Sequence, residues 1–157
     1  MINDNEIKII GHKSVIPFED NMEALEYTAK LLLDRKLVKD SYLDAIKDRE
    51  KSFPTGLEFQ NYGIAIPHTD SEHVISESIV INILDEPVKF EQMATEGLYT
   101  DVNIIVMLAI KNKENQVPYL QTLIEIFQDE QKVNALISKR DNDELEETFK
   151  QYLMEVK

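Results

Sequence analysis

Two neighbouring segments hold the side chains with the most chemistry in them: Arg49-Glu50-Lys51-Ser52-Phe53-Pro54-Thr55-Gly56 and Tyr62-Gly63-Ile64-Ala65-Ile66-Pro67-His68-Thr69-Asp70. They concentrate a cation, hydroxyls, flexible backbone and one histidine. His68 follows directly on an apolar run closed by Pro67, which fixes its own backbone torsion and narrows that of Ile66. Loops beyond strand ends are where α/β sheets hold ligands, so a histidine placed there is well presented. Such an imidazole can act as a nucleophile, a base or a ligand. The other histidines offer less. His73 stands at a spacing from His68 that does not put two ligands on one helical face, and Asp70 and Glu72 read as solvated loop carboxylates. No metal site is expected. His12 lies in an irregular stretch and reads as an exposed residue.

The elements that position these groups follow from hydrophobic spacing. Gly63-Ile64-Ala65-Ile66 is a short strand that Pro67 stops, because proline has no amide for a ladder. Ser78 to Leu84 and Val102 to Ile110 are β-branched apolar runs of strand length. The second is apolar at nearly every position, as a strand covered on both faces must be. Ile7, Ile9, Ile10, Val15 and Ile16, interrupted at Gly11, form a strand or an extended lead-in. Leu25, Thr28, Ala29, Leu32 and Leu33 recur at helical spacing, predicting a helix from Asn21 to near Arg35 with Asp20 or Asn21 as N-cap.

A second helix is expected from Ser41, whose hydroxyl would cap free amides, to about Glu50, and Pro54 with Gly56 then impose a loop. From Pro118, which suits a first helical turn, the chain is helical through Leu120, Leu123, Ile124 and Phe127, then Val133, Leu136 and Ile137, then Leu145, Phe149 and Leu153. Strands interleaved with helices around a buried sheet predict one three-layer α/β/α domain over residues 1–157 with a central mixed β-sheet.

Composition sets the setting. The 157 residues include no cysteine, which excludes thiol catalysis, thiolate metal sites and disulfides and suits a reducing cytosol, so a cytoplasmic protein is expected. The formal net charge of -13 repels nucleic acid and anionic lipid, leaving proteins as the expected partners. The N-terminal residues carry no signal-like pattern and no stretch is long and apolar enough to span a bilayer, so direct membrane insertion is not expected.

Arg49-Glu50, Pro54-Thr55-Gly56 and Gly63-Ile64-Ala65-Ile66-Pro67-His68, together with Ser41-Tyr42-Leu43-Asp44-Ala45-Ile46, resemble the fructose, mannitol and galactitol type of EIIA component of the phosphoenolpyruvate-dependent sugar phosphotransferase system. The segments Pro54-Thr55-Gly56-Leu57-Glu58 and Pro67-His68-Thr69-Asp70-Ser71-Glu72-His73-Val74 look most like the galactitol branch. The resemblance implies that His68 accepts a phosphoryl group from the carrier HPr and passes it to a cysteine of an EIIB component coupled to a membrane EIIC. It implies no cofactor. In that setting Arg49 is expected to stabilise phosphate charge, with Thr55 and the backbone at Gly56 and Gly63 as neutral donors.

The second nitrogen of His68 would donate to a carbonyl or carboxylate, for which Asp70 and Glu50 are candidates. Many members of that family carry a second site histidine before the helix that follows the long buried strand. Here Lys111 to Leu120 contains none, and Asn115, Gln116 and Tyr119 offer hydrogen bonds in its place. That departure keeps open a regulatory role, in which phosphorylation state controls a protein partner.

Overall fold

The apolar run ending at Ile110 becomes the centre of the molecule. A computed structural model describes residues 7–155. The chain runs β1 (Lys8–Ser14), α1 (Asn21–Leu33), α2 (Tyr42–Ser52), β2 (Gly56–Glu58), β3 (Gly63–Ala65), β4 (Ser78–Glu91), β5 (Tyr99–Ala109), α3 (Gln116–Phe127), α4 (Glu130–Ile137) and α5 (Asn142–Glu155). The sheet order is β1-β4-β5-β3-β2. β1 runs parallel to β4 and β3 parallel to β5, whereas β4–β5 and β2–β3 are antiparallel. The mixed sheet expected from the sequence is present.

Both faces of the central strands are covered because side chains alternate along a strand. Ile79, Ile81, Ile104, Val106 and Leu108 pack with Leu123, Phe127, Leu136, Phe149 and Leu153 of the C-terminal helices. Val80, Ile105, Met107 and Ala109 face Leu25, Leu32, Tyr42 and Ile46 of α1 and α2. Helices therefore lie on both sides, giving the three layers. Each such fully buried aliphatic or aromatic side chain contributes about 1.5–3 kcal/mol.

The strand directions gather one set of loops. β3 and β5 are parallel, so they finish at the same end of the sheet, and β4, antiparallel to β5, begins there. Residues after Ala65, after Ala109 and before Ser78 are thus neighbours. α1 starts as expected, with the Asp20 side chain accepting the amide of Glu23.

Four local expectations change. Ser41 does not cap α2: its hydroxyl pairs instead with His73 Nδ1 at 2.8 Å. Gly56 is not loop but opens β2, an edge strand of three residues too short to show a period. β4 continues past Leu84 to Glu91, through a register shift between Ile83 and Val88 that puts Asp85, Glu86 and Pro87 at the surface. His12 is half-buried on β1, with Nε2 2.8 Å from the Tyr27 hydroxyl, rather than simply exposed.

Candidate functional site

His68 is seated by the sheet itself. The carbonyl of Pro67 accepts the amide of Leu108 at 2.9 Å, extending the β3–β5 pairing one step past the strand. The carbonyl of Leu108 in turn accepts the buried hydroxyl of Tyr42 at 2.7 Å. Tyr42, Ile46, Arg49 and Glu50 fall at spacings of four, seven and eight residues, one stripe of α2. One residue of β5, through its amide and its carbonyl, therefore registers both the segment bearing His68 and the helix bearing Arg49.

Nδ1 of His68 lies 2.9 Å from the carbonyl of Ile66, so the orienting acceptor is a backbone carbonyl and neither Asp70 nor Glu50. A carbonyl can only accept. Nδ1 therefore carries the hydrogen and Nε2 keeps its lone pair. Burial pushes the imidazole pKa below its ordinary 6.5, the positive charge of Arg49 adds to that, and the Ile66 carbonyl pulls the other way. Near neutral pH the ring is uncharged, as a nucleophile must be.

Arg49 lies near enough for its charge to act on the ring. Its guanidinium carbon lies 4.4 Å from the centroid of the Phe53 ring, and Nη1 lies 3.9 Å from Asp70 Oδ1. The side chain of Asp70 is 68% exposed, so this pairing is loose and well solvated. Nε of Arg49 is buried without a hydrogen-bond partner among the described residues. A guanidinium stacked on a ring, with part of its donor set uncommitted, is prepared for an oxyanion.

The three neutral donors expected from the sequence fare differently. The amide and hydroxyl of Thr55 both donate to Glu50, at 2.7 and 2.8 Å, so neither is directed at an incoming group. Gly56 serves packing: a Cβ there would sit 2.7 Å from the carbonyl oxygen of Glu91. Gly63 begins the strand that His68 follows, roughly 16 Å away at strand rise. Its amide donates to Asn103 Oδ1 at 3.1 Å, and a Cβ would sit 2.0 Å from the Asp101 carbonyl oxygen. Gly63 is there for close strand approach at the far end of the sheet.

Glu77 was not foreseen from the sequence, and Glu50, foreseen only as a partner for His68, has another role. Glu77, just before β4, accepts the Asn112 amide at 2.9 Å, the Asn115 carboxamide at 3.2 Å and the Tyr119 hydroxyl at 3.0 Å. Asn115 and Tyr119 thus hold together the loops flanking the site. No sequence signal pairs Glu77 with residues that distant. Glu50 is buried, and its helical spacing from Tyr42 and Ile46 could have revealed that.

His73 has Nδ1 on Ser41 and Nε2 3.9 Å from Glu72. Among the described residues no group of three or more His, Asp or Glu is arranged to hold a metal ion. A cleft of about 760 Å³ opens at the opposite end of the sheet, lined by residues including Glu58, Tyr62, Asp85 and Asp101.

Residues 10–152 match the family model described as phosphoenolpyruvate-dependent sugar phosphotransferase system, EIIA 2. The chain belongs to that family. As an EIIA component it is a phosphotransferase that passes phosphate through a phosphohistidine. It is similar to the galactitol-specific EIIA component of Escherichia coli strain K12, 29% identical over 143 residues that cover 91% of this chain and 94% of that one. The crystal structure of a putative PTS IIA domain from Streptococcus pyogenes superposes with a TM-score of 0.72, at 18% identity over 90% of this chain and 89% of that one. Enzyme IIA of the Escherichia coli mannitol system, determined in complex with its phosphorylated enzyme IIB, superposes with a TM-score of 0.60. That pair is 21% identical over 98% of this chain and 97% of the other. These structures share the EIIA fold. No helix among the described residues is long and apolar enough to cross a membrane.

Proposed function

We propose that residues 1–157 form one cytoplasmic EIIA domain in which His68 takes a phosphoryl group from phospho-HPr and delivers it to a cysteine of an EIIB component. The observation that carries this reading is the Nδ1 bond from His68 to the Ile66 carbonyl, which leaves Nε2 as an uncharged nucleophile near Arg49. Of the three histidines, His12 and His73 both have Nε2 turned to another side chain.

In the first step the Nε2 lone pair attacks phosphorus in line, and the bond to the HPr imidazole breaks with its electron pair returning to that ring. Neutral imidazole is consumed on one protein and released on the other. Nδ1–H stays with its carbonyl throughout. In the second step a thiolate of EIIB displaces His68 in the same way. Such transfers ask the protein mainly for alignment and for stabilisation of charge on the equatorial oxygens, and Arg49 supplies the latter.

The EIIC that EIIB serves is proposed to transport a sugar alcohol, galactitol on the strength of the relative named above. The relay is tested by intact mass after incubation with phosphoenolpyruvate, enzyme I and HPr, followed by addition of EIIB. One acid-labile phosphate on the wild type and none on His68→Gln is expected. An unphosphorylated wild type would overturn the reading, and phosphorylation without onward transfer to EIIB would favour the regulatory role.

A further inference from the structure

Among the described residues, Glu50 is the only Asp, Glu, Lys, Arg or His whose side chain is buried, at 4% exposure. The phosphoryl relay has no use for it, and a buried carboxyl is costly unless its oxygens are bonded. Both oxygens are occupied by one residue. Oε2 accepts the amide of Thr55 and Oε1 accepts its hydroxyl. The result is a clasp that closes the turn between the last residues of α2 and the first of β2. Within that turn lies Phe53, the C-cap of α2, whose ring is 60% exposed and whose face carries the guanidinium of Arg49. Phe53 is held in place by its backbone and by that stacking.

We infer that Glu50 is a positioning residue for phosphoryl transfer: by clasping Thr55 it fixes the turn that places Phe53 under Arg49, and so aims the guanidinium at the group carried by His68. The chain of contacts runs from Glu50 to Thr55, through residues 51–54 to Phe53, and from Phe53 to Arg49. Glu50 touches neither the imidazole nor the phosphoryl group, so its effect must pass through Arg49. The inference rests on the relay proposed above.

The clasp is also suited to work on both sides of neutrality. Burial pushes the Glu50 carboxyl up to about 7, the Thr55 bonds oppose that shift, and Glu91, the charged group facing it from the end of β4, adds to it. Once protonated, Glu50 can keep both bonds. The carboxyl O–H then donates to the Thr55 hydroxyl, which reverses its role, while the other oxygen still accepts the amide. A glutamine at this position has the same pattern, with its amide donating to the hydroxyl oxygen and its carbonyl accepting the backbone N–H.

The test is a set of single-turnover transfer rates from phospho-HPr for Glu50→Ala, Glu50→Gln and Thr55→Val, each made in the wild-type and in the Arg49→Ala background. Glu50→Ala should slow transfer ~10–100-fold in the wild-type background and hardly at all when Arg49 is absent, the non-additivity of residues acting as a unit. Glu50→Gln should restore most of the rate. If the Glu50→Ala loss is the same in both backgrounds, Glu50 is only a stability residue and the inference fails. Should Glu50→Ala not fold, Thr55→Val, which keeps the shape and removes the hydroxyl, carries the same comparison. A wild type that takes no phosphate would instead defeat the relay itself.

Discussion

Where β3 and β5 finish, side chains tie loops to strands and helices: Tyr42 to Leu108, Glu50 to Thr55, and Glu77 to Asn112, Asn115 and Tyr119. At the opposite end the β4–β5 register slips and a cleft of about 760 Å³ opens, with Glu58, Asp85 and Asp101 on its walls. The first end holds an uncharged imidazole and an arginine whose Nε has no hydrogen-bond partner among the described residues. The second holds carboxylates that would repel a phosphoryl group. A transfer centre served by other proteins needs rigid placement on an open face, whereas volume matters only for a small molecule that must be enclosed. The cleft therefore lies away from the end proposed for transfer.

Substitutions that separate the two ends sharpen this contrast. His68→Gln should abolish phosphate uptake from phospho-HPr, read as a complete absence of the phosphorylated mass. Arg49→Ala should slow single-turnover transfer by ~10²–10³-fold, the range found when a preorganised oxyanion donor is removed. Arg49→Lys should recover only part of that, because an ammonium neither stacks on Phe53 nor offers a fork.

Glu50→Gln tests the buried carboxyl through stability. A folded-state pKa of about 7 against an ordinary 4.5 means that the folded protein binds more protons between those values, so wild-type stability falls as pH rises through that window. Below it the penalty is absent. Glu50→Gln should match the wild type near the lower value and exceed it by about 1–3 kcal/mol above the upper one, measured by urea unfolding across pH.

The pH profile of phosphate uptake should fall on the acid side with a midpoint below the ordinary imidazole value of 6.5, since burial and Arg49 both disfavour the charged ring. At the far end Asp85→Asn and Glu58→Gln should leave the transfer rate unchanged within about twofold, as surface changes remote from a site do. A large loss there would erase the distinction between the two ends.

The central strands were legible because Val102 to Ile110 is apolar without alternation, and α1 because Leu25, Ala29 and Leu32 repeat at helical spacing with Asp20 ready to cap. His68 and Arg49 were singled out as candidates by a specific run of residues. What the sequence hid was pairing at a distance. Nothing in Gly56 to Glu58 announces an edge strand of three residues, and Thr55 shows its hydroxyl without showing that Glu50 already holds it. Gly63 reads equally well as an anion cradle and as room for the Asp101 carbonyl, and only the register decides. The Ser41 hydroxyl had two possible partners, and the one distant in sequence, His73, prevailed.

The bond between the Pro67 carbonyl and the Leu108 amide bears on the tempo of the relay. Backbone freedom at the histidine is given up once, when the sheet assembles, and is not surrendered again at each encounter. In the proposed relay a visiting protein would find a target that does not need to be ordered first, so that even a brief collision in the right orientation could end in transfer.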